Sequence, residues 1–363
     1  MTAEEIPATM RAAVLHGRRD LRFETVPTPV AGPGELLLAV TAVGVCGTDA
    51  AEWAHGPKLM PVETAHPVTG HIGPLTMGHE FAGRVVAVGP GVDTAWRGRL
   101  VASCGAAPCG VCALCRGGRS NVCRRYAAVG LHRPGALARY VVAPVASCVD
   151  ADAWGLDEQE AALVQPMSIA LHAVRRSGAA RGDVAVVQGV GGIGLFLIHV
   201  LHDLGVRVTA VDLDPERLAL ARRMGAEAVI RGGTPAAAAE IAASWGEELP
   251  VFFEVTGSER GMNLAIDIVP MGTTIVAVGI AKAPAAVDLG RVTVREISLI
   301  GTNAMVRETD LEDAARLVAA RAGGWGAVTG EPVPFDRLVD DALTPIAEGR
   351  PAAVKTIVLP PAR

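Results

Sequence analysis

Residues 183–194 read Asp-Val-Ala-Val-Val-Gln-Gly-Val-Gly-Gly-Ile-Gly, a short apolar run followed by a G-x-G-x-x-G pattern. In a chain with 42 glycines this pattern alone is a weak signal, because any glycine-rich turn can produce it. Its place between a predicted strand and a predicted apolar helix makes it a dinucleotide-binding fingerprint. In such a fingerprint Gly189 allows the tight turn, Gly191 lets the backbone approach a pyrophosphate, and Gly194 lets the helix pack close to the strand.

The predicted helix begins at Gly192 and Ile193, and the pyrophosphate of a dinucleotide is expected at its N-terminus. From residue 184 onward, short apolar runs alternate with helical patterns, which is typical of a doubly wound parallel sheet with helices on both faces. We therefore predict an α/β, Rossmann-type domain with strands near 184–188, 206–211, 227–230, 250–254, 273–279 and 296–301.

Acidic residues follow the second predicted strand. Asp212 lies eighteen residues after Gly194, where a carboxylate can accept hydrogen bonds from ribose hydroxyls and would repel a phosphate. This favours NAD over NADP. Arg217 on the next helix could stack on adenine or meet a phosphate, whereas Asp214, immediately before Pro215, fits a helix cap. Asp212 is therefore the predicted ribose ligand.

Four of the seven cysteines fall within fifteen residues as C-x₂-C-x₂-C-x₇-C: Cys109, Cys112, Cys115 and Cys123. Four thiolates this close can surround one tetrahedral zinc ion with no open position, which predicts a structural metal site. A disulfide scaffold is disfavoured because the sequence starts without a secretory leader, which also makes a cytoplasmic protein the expectation. An iron–sulfur cluster is disfavoured because the fourth cysteine comes after seven residues and before Arg124, instead of after three and before proline.

Charge and hydropathy argue against two classes of partner. The 363 residues carry a net charge of −5, and arginine doublets are scattered instead of forming one basic stripe, so no nucleic acid partner is expected. The longest apolar segment, 184–201, is interrupted by glycines and histidine, so we interpret it as a buried strand–turn–helix and not as a membrane span. The length favours two domains.

Upstream of the cysteine quartet, residues 44–49 read Gly-Val-Cys-Gly-Thr-Asp and residues 77–80 read Met-Gly-His-Glu. One thiol, one imidazole and one carboxylate form a mixed ligand set of the kind that open catalytic zinc sites use. Each piece alone is only moderately specific, because a lone cysteine is more often a small buried hydrophobe and a His-Glu pair more often a hydrogen-bonded loop.

In this order, the elements resemble the zinc-dependent medium-chain alcohol dehydrogenase family over essentially the whole chain. A Pro-Gly-Glu turn at 33–35 and the Gln-Pro pair at 165–166 belong to the same resemblance. It implies a mostly β, GroES-like catalytic domain at 1–166 with a structural zinc lobe at about 104–125, a Rossmann domain at 167–304, and a return segment at 305–363 that completes the catalytic domain.

Carried over residue by residue, the family pattern makes Cys46, His79 and Glu80 ligands of a catalytic zinc. Asp49 would orient the imidazole of His79, and Thr48 would accept the proton of the substrate alcohol. The resemblance thus implies two zinc ions per chain, one catalytic and one structural, and NAD(H) as the hydride carrier.

Three positions near this site depart from the family pattern or have no fixed role in it. The fourth ligand position falls at Gln165, where relatives commonly have a cysteine or a glutamate. The neutral amide of Gln165 either contacts the metal, which is then more electron-poor than with a third anion, or only supports the following helix. Ala51 stands where relatives often carry a proton-relay histidine, so the proton would leave through the cofactor ribose, Glu52 or His55. Glu52 and Trp53 are candidates for the substrate side of the site, although Trp53 equally fits a packing role elsewhere.

The residues around 55–57 and the insertion 66–80 look most like the butane-2,3-diol dehydrogenases, with sorbitol and threonine dehydrogenases next. A vicinal diol or α-hydroxy ketone is therefore the expected substrate, with polyols or hydroxy amino acids as alternatives. For His66 and His71 an exposed loop is favoured over metal binding, because His79 already supplies a ligand nearby.

The family also commonly assembles through the edge of its nucleotide sheet near 297–302, so a homodimer or homotetramer is expected. Two alternatives of other classes stay open. A non-catalytic nucleotide-binding module with an inert Cys46 predicts NAD binding without turnover. A zinc-free NADPH reductase of the same superfamily is disfavoured by Asp212 and by the Gly-His-Glu element at 78–80.

Overall fold

A computed structural model of the chain describes residues 6–361. The chain divides into two compact units, one formed by residues up to 165 together with those from 306 onward, the other by 166–305. The domain boundaries expected from the sequence, 166/167 and 304/305, differ from these by one residue.

Within the described residues the strands are β1 Thr9–Gly17, β2 Asp20–Pro27, β3 Glu35–Val45, β4 Leu75–Thr76, β5 Glu80–Val88, β6 Leu100–Ser103, β7 Ala106–Ala107, β8 Ala127–Ala128, β9 Tyr140–Pro144, β10 Cys148–Asp150, β11 Val184–Gln188, β12 Arg207–Asp212, β13 Ala228–Arg231, β14 Val251–Glu254, β15 Thr274–Ala277, β16 Ser298–Gly301 and β17 Thr356–Val358.

The α-helices of the same residues are α1 Gly47–His55, α2 Ala113–Arg116, α3 Glu158–Ala162, α4 Val164–Ser177, α5 Gly192–Leu204, α6 Pro215–Arg223, α7 Ala237–Ala243, α8 Glu259–Ile268, α9 Leu289–Val294, α10 Arg307–Ala319, α11 Gly326–Thr329 and α12 Thr344–Ala347. A π-helical turn, Leu338–Leu343, precedes α12. Across residues 6–361, no helix combines the length and the apolar character that crossing a membrane would need.

Unit 166–305 is built around one parallel sheet, whose strands lie in the order β13-β12-β11-β14-β15-β16. The six predicted strands are confirmed, each overlapping its observed counterpart. Strand β11 is buried at all five positions because helices cover both faces of a doubly wound sheet, which explains its unbroken apolar run. The order of connection reverses between β11 and β14, and such sheets bind ligands outside the carboxyl ends of the strands at this switch point.

The other unit is built from antiparallel sheets. The largest runs β10-β6-β5-β3-β17, with β9 also paired to β3, and a smaller sheet runs β2-β1-β4. Its core includes the fully buried Leu36, Leu38, Met77 and Phe81. Because β3 lies between β5 and β17 and is antiparallel to both, its C-terminal end meets the first residues of each of these strands. This junction positions the candidate catalytic site.

Candidate metal centres and nucleotide-binding loop

The first site residues lie where β3 ends and α1 begins. Cys46 has extended backbone angles and is the N-cap of α1. The carboxylate of Asp49, at the third helical position, accepts a hydrogen bond from the backbone N–H of Cys46 at 2.9 Å. This reciprocal cap fixes the start of the helix and therefore the direction of the Cys46 thiol. Thr48 lies half-buried between them in the first turn.

His79 is joined to this helix by a second hydrogen bond of Asp49. The distance from its Nδ1 to Asp49 Oδ1 is 3.2 Å, and the two side chains are 9% and 0% exposed. Since Nδ1 donates to the carboxylate, Nε2 is the nitrogen left to bind a metal. Burial works to lower the pKa of His79, but the charge and the hydrogen bond of Asp49 outweigh it and raise that pKa well above its ordinary value. A metal ion that binds Nε2 must displace any proton held there.

Glu80, the first residue of β5, is 1% exposed and forms an ion pair with Lys355, immediately before β17. Burial would lower the pKa of Lys355, but the negative charge of Glu80, followed by that of Cys46, raises it. Sequence reasoning missed Lys355, because nothing in its local sequence distinguishes it and only the pairing of β17 with β3 brings it here.

The donor atoms of Cys46, His79 and Glu80 all lie within 4.8 Å of one another. The structure thus brings together a cysteine sulfur, an imidazole nitrogen and a carboxylate oxygen from the junction of β3 with α1 and from the start of β5. Three such protein ligands are the set with which catalytic zinc sites leave a further position open. The group fits zinc in chemistry and in spacing.

Gln165 is 7% exposed and lies in the first turn of α4. Its contact with a metal stays a prediction. The same holds for the transfer of the substrate proton to Thr48.

The structure gives Glu52 a different task from the proton exit considered above. Its carboxylate accepts backbone N–H bonds from Lys58, Leu59 and Met60 at 2.9, 3.0 and 3.0 Å, and the side chain is 3% exposed. Three backbone donors that converge on one carboxylate oxygen anchor this loop to α1. The hypothesis that Glu52 relays the proton or touches substrate is therefore not supported.

For Trp53 the structure favours the second of the two alternatives, packing away from the site. It is 5% exposed, belongs to the hydrophobic core, and lies under the guanidinium of Arg19 at 5.4 Å from the ring centroid. Its amphipathic helix position decides this, because α1 turns Trp53 inward while His55, two residues later, is exposed. Trp53 thus stabilises α1, and its contact with a substrate stays a prediction.

The histidines of the insertion are half-buried rather than exposed as expected. His66 stacks on His132 with ring centroids 4.3 Å apart and an interplanar angle of 19°, and its Nδ1 accepts the N–H of Thr69 at 3.2 Å. His71 contacts the carbonyl oxygens of Gly73 and Pro74, both at 3.2 Å. These contacts order the loop, and nothing in the sequence indicated that His132 would stack on it.

The cysteine quartet forms a second candidate metal centre around α2. The Sγ atom of Cys112 lies 3.5 Å from that of Cys115 and 3.9 Å from that of Cys123. A tetrahedral ZnS₄ centre with Zn–S bonds of about 2.3 Å requires roughly 3.8 Å between sulfurs, whereas a disulfide requires about 2.05 Å. All seven cysteines of the chain are free, so the geometry fits zinc and not a disulfide.

Backbone N–H groups aimed at the sulfurs prepare the quartet to hold negative charge. The N–H groups of Cys109 and Arg125 donate to Cys123 Sγ, both at 3.3 Å. A hydrogen bond from the backbone of Val111 is the main cause that lowers the pKa of the Cys109 thiol to about 6. This favours the thiolate at Cys109, the form that binds zinc, whereas burial and the neighbouring thiols raise the pKa of Cys115 to about 12.

In the other unit, the glycines of the fingerprint have separate physical reasons. Gly189 has a φ of +102°, and a Cβ at Gly194 would lie 2.0 Å from the Gly189 carbonyl oxygen, so neither position tolerates a side chain. Gly191, the N-cap of α5, has no heavy atom within 4 Å of a Cβ position. The backbone is therefore open at the helix N-terminus where a pyrophosphate would approach, and Gly192 and Ile193 form the first turn.

Asp212 ends β12 beside this loop. Its carboxylate accepts the N–H of Val190 at 2.6 Å and the N–H of Asp214 at 3.0 Å. Asp214 caps α6 by accepting the N–H of Glu216, as the sequence indicated, and pairs with Arg217 at 3.7 Å. The Asp212 carboxylate thus lies beside the turn that would carry a nucleotide, and its contact with a ribose stays a prediction.

Two family profiles match the chain, "Alcohol dehydrogenase GroES-like domain" at residues 32–153 and "Zinc-binding dehydrogenase" at residues 192–320. The (R,R)-butanediol dehydrogenase of Neisseria gonorrhoeae is 31% identical over 97% of this chain and 99% of that protein. An L-threonine 3-dehydrogenase of Chelativorans sp. is 34% identical over 77% of this chain and 79% of its own length.

Solved structures agree with these relatives. The crystal structure of 2R,3R-butanediol dehydrogenase from Bacillus subtilis has a TM-score of 0.86 and 30% identity, covering 97% of this chain and 99% of its own. A zinc-binding dehydrogenase from Sinorhizobium meliloti 1021 bound to NADP has a TM-score of 0.84 and 26% identity, covering 98% and 100%. The chain therefore belongs to the zinc-dependent medium-chain alcohol dehydrogenase family and is a dehydrogenase that acts on CH–OH donors.

Proposed function

We propose that this enzyme transfers hydride between a secondary alcohol and NAD, with a catalytic zinc held by Cys46, His79 and Glu80. The observation that carries the proposal is the convergence of these three donor atoms within 4.8 Å, together with Asp49 on the far side of the His79 ring. A second zinc in the cysteine quartet is part of the proposal, because four sulfurs at tetrahedral spacing leave no open position for chemistry.

The residues of the chain divide the work around the reacting oxygen. Bound at these residues, zinc supplies a Lewis acid for the substrate oxygen, and NAD supplies the hydride acceptor. Asp49 keeps the His79 ring in one orientation and one tautomer. Thr48, two residues after Cys46 in the first turn of α1, takes the proton of the substrate hydroxyl through its own hydroxyl. Because Glu52 is engaged by loop N–H groups, the proton continues through the cofactor ribose or exposed His55.

NAD is the proposed cofactor because of Asp212. Its carboxylate can accept hydrogen bonds from both ribose hydroxyls, whereas the additional phosphate of NADP would meet a like charge. Arg217 is paired with Asp214 and is only partly available to offset that charge. A relative of the same fold is bound to NADP, so the fold alone does not decide the cofactor, and the carboxylate of Asp212 is the feature that supports NAD.

The proposed substrate is a vicinal diol or its α-hydroxy ketone, such as butane-2,3-diol or acetoin. Relatives with the name butanediol dehydrogenase match over nearly the full length of both chains. The alternative is a polyol or an L-threonine-type substrate, which the similarity to L-threonine 3-dehydrogenases and to an erythritol/L-threitol dehydrogenase supports at comparable identity.

We also propose a homodimer or homotetramer. Strand β16 is an edge strand of the parallel sheet, and Leu299 on it is 41% exposed. Val294 and Ile280, in the segments that flank this edge, are 76% and 82% exposed. An uncovered edge with apolar neighbours favours pairing with a second copy.

The test begins with zinc per chain by elemental analysis of protein purified without added metal. Two zincs, and NADH formation with butane-2,3-diol that disappears in Cys46→Ala but survives in the thiol control Cys148→Ala, would establish the proposal. Threonine and erythritol, assayed in parallel with NAD and NADP, decide between the substrate and cofactor alternatives. One zinc, or two zincs with NAD binding but no turnover on any alcohol, would refute it.

A further inference from the structure

Lys355 places a buried positive charge beside the candidate zinc ligands. Its ammonium contacts Glu80 Oε2 and lies 3.4 Å from the carbonyl oxygen of Val45, and the side chain is 5% exposed. A buried ammonium is costly unless it is paired and hydrogen-bonded. The carboxylate that pairs it is one of the three groups whose donor atoms converge for a metal. Glu80 therefore faces two cations, the lysine and the metal.

The space for this pair is provided by a glycine on the central strand. Gly44 lies opposite Glu80 in the pairing of β3 with β5 and opposite Ile357 in the pairing with β17. A Cβ at Gly44 would lie 2.5 Å from Glu80 Oε2 and 3.2 Å from Lys355 Cε. The absence of a side chain at Gly44 thus creates the volume that the carboxylate and the ammonium share.

Formal charge gives the reason for a lysine at this place. Cys46 as thiolate, Asp49 and Glu80 are three anions. The ammonium of Lys355 and a Zn²⁺ ion together bring the total to zero. Without the ammonium the filled site would carry a net negative charge, and further negative charge on the substrate oxygen would then be opposed.

We propose that Lys355 is a positioning residue that holds the Glu80 carboxylate in competition with the catalytic zinc, so that Glu80 binds the metal weakly. The proposal rests on the proposed function, since it requires zinc at Cys46, His79 and Glu80. Held by the ammonium, the carboxylate gives less of its charge to the metal, which keeps the metal a stronger Lewis acid and keeps a position free for the substrate oxygen.

The test uses the full-length, zinc-loaded enzyme and the variants Lys355→Met, Lys355→Gln and Lys355→Arg. Release of the catalytic zinc to a chelator, followed optically, should be about tenfold slower in the Met and Gln variants and close to the wild-type rate in Lys355→Arg. Gln retains a donor for the Val45 carbonyl, so it serves as a second variant in which this hydrogen bond is kept and only the charge is removed. Cobalt in place of catalytic zinc should show shifted d–d bands in Met and Gln only. In the Met and Gln variants the pH at which kcat is half-maximal should rise, because a weaker Lewis acid lowers the pKa of the bound alcohol less.

The variant Glu80→Gln provides the matched background. If the lysine acts through Glu80, Lys355→Met should change the zinc release rate much less there than in the wild-type background. Unchanged or faster zinc release in folded Lys355→Met and Lys355→Gln overturns the inference, and so does equal slowing with and without Glu80. If the wild-type enzyme holds only one zinc, the proposed function itself has failed. Two zincs with unaltered release in the lysine variants overturn this inference alone.

Discussion

The two candidate metal centres of this chain are built in opposite ways. The cysteine quartet takes all four ligands from residues 109–123, around a helix of four residues, and three of the four cysteines are half-exposed. The catalytic group takes Cys46 from the end of β3, His79 and Glu80 from the start of β5, and its charge partner Lys355 from the segment before β17. One centre is a local chelate, and the other exists only because three strands meet.

The difference in construction corresponds to a difference in chemistry. Four thiolates at tetrahedral spacing satisfy a zinc ion completely, so backbone N–H groups are all the support that the lobe supplies. The mixed site has one fewer ligand, and its members are each held by another side chain, His79 by Asp49 and Glu80 by Lys355. A site that must leave room for substrate needs this rigid surrounding, because the metal alone does not fix its ligands.

The sharpest way to break the comparison is to remove one ligand from the catalytic group. In Cys46→Ala we expect kcat/KM to fall by roughly 10³-fold, which corresponds to losing several kcal/mol of Lewis-acid stabilisation. Zinc should drop from two ions to one per chain, and the midpoint of thermal unfolding should change little. Cys148→Ala is the control for loss of a half-buried thiol. A large loss of stability in Cys46→Ala would mean that this centre is structural.

The opposite outcome is expected for the quartet. In Cys112→Ser the lobe zinc should be lost, and the free energy of unfolding should fall by about 3 kcal/mol, because structural zinc binding contributes directly to folding. The lobe is tied to α10 through the hydrogen bond of Ser120 to Glu308 at 2.5 Å, so the loss should extend beyond the lobe. Chemical unfolding with zinc analysis measures both. Catalytic zinc lost in equal measure would contradict the independence of the two centres.

Asp49→Asn tests the support of the catalytic group without removing a ligand. The amide oxygen can still accept the N–H of Cys46, but the charge that orients His79 is gone. We expect the zinc affinity of this site, the kcat of the zinc-loaded enzyme, or both to fall about 10–100-fold. Metal titration and steady-state kinetics measure the two effects. Asp150→Asn, which disrupts the surface pair with Arg99, is the matched control and should leave both quantities unchanged.

The smallest expected effect concerns His132, which stacks on His66 in the insertion before His79. Burial, with the charge of His66 as a second cause, lowers the pKa of His132 to about 4. The unfolded chain titrates near its ordinary value of about 6.5, so it binds more protons than the native state between these values. Stability from this group is therefore complete above about pH 6.5 and is lost as the pH falls toward 4.

After allowance for partial exposure, the loss on acidification should be about 1–2 kcal/mol. His132→Asn keeps an acceptor for the N–H of Ala128 but does not titrate, so its stability should fall less between about pH 7 and pH 5. Thermal unfolding of both proteins across this interval is the measurement. Parallel losses in the two proteins would exclude His132 as the source.

The parts of the molecule that could be predicted from the sequence are those that local physics dictates. The glycines at 189 and 194 are required by a positive φ and by a contact of 2.0 Å, so their spacing reports a backbone conformation directly. Strand β11 at the centre of the parallel sheet was recognisable because a strand buried on both faces is a continuous apolar run. The quartet was recognisable because its ligand spacing alone brings the sulfurs together.

The parts that only the tertiary structure decided depend on contacts between distant segments. Trp53 and Glu52 lie on the helix that Cys46 caps, but their roles depend on distant contacts. Trp53 packs into the core, and Glu52 binds the loop at 58–60. His132 meets His66 across a loop, and Lys355 meets Glu80 only because β17 pairs with the C-terminal end of β3. Sequence by itself determined the fold, the nucleotide loop and the metal-binding residue types, since these follow from local conformation and spacing. The charge balance of the catalytic site had to wait for the fold, because electrostatic energy depends on distances that chain order does not reveal.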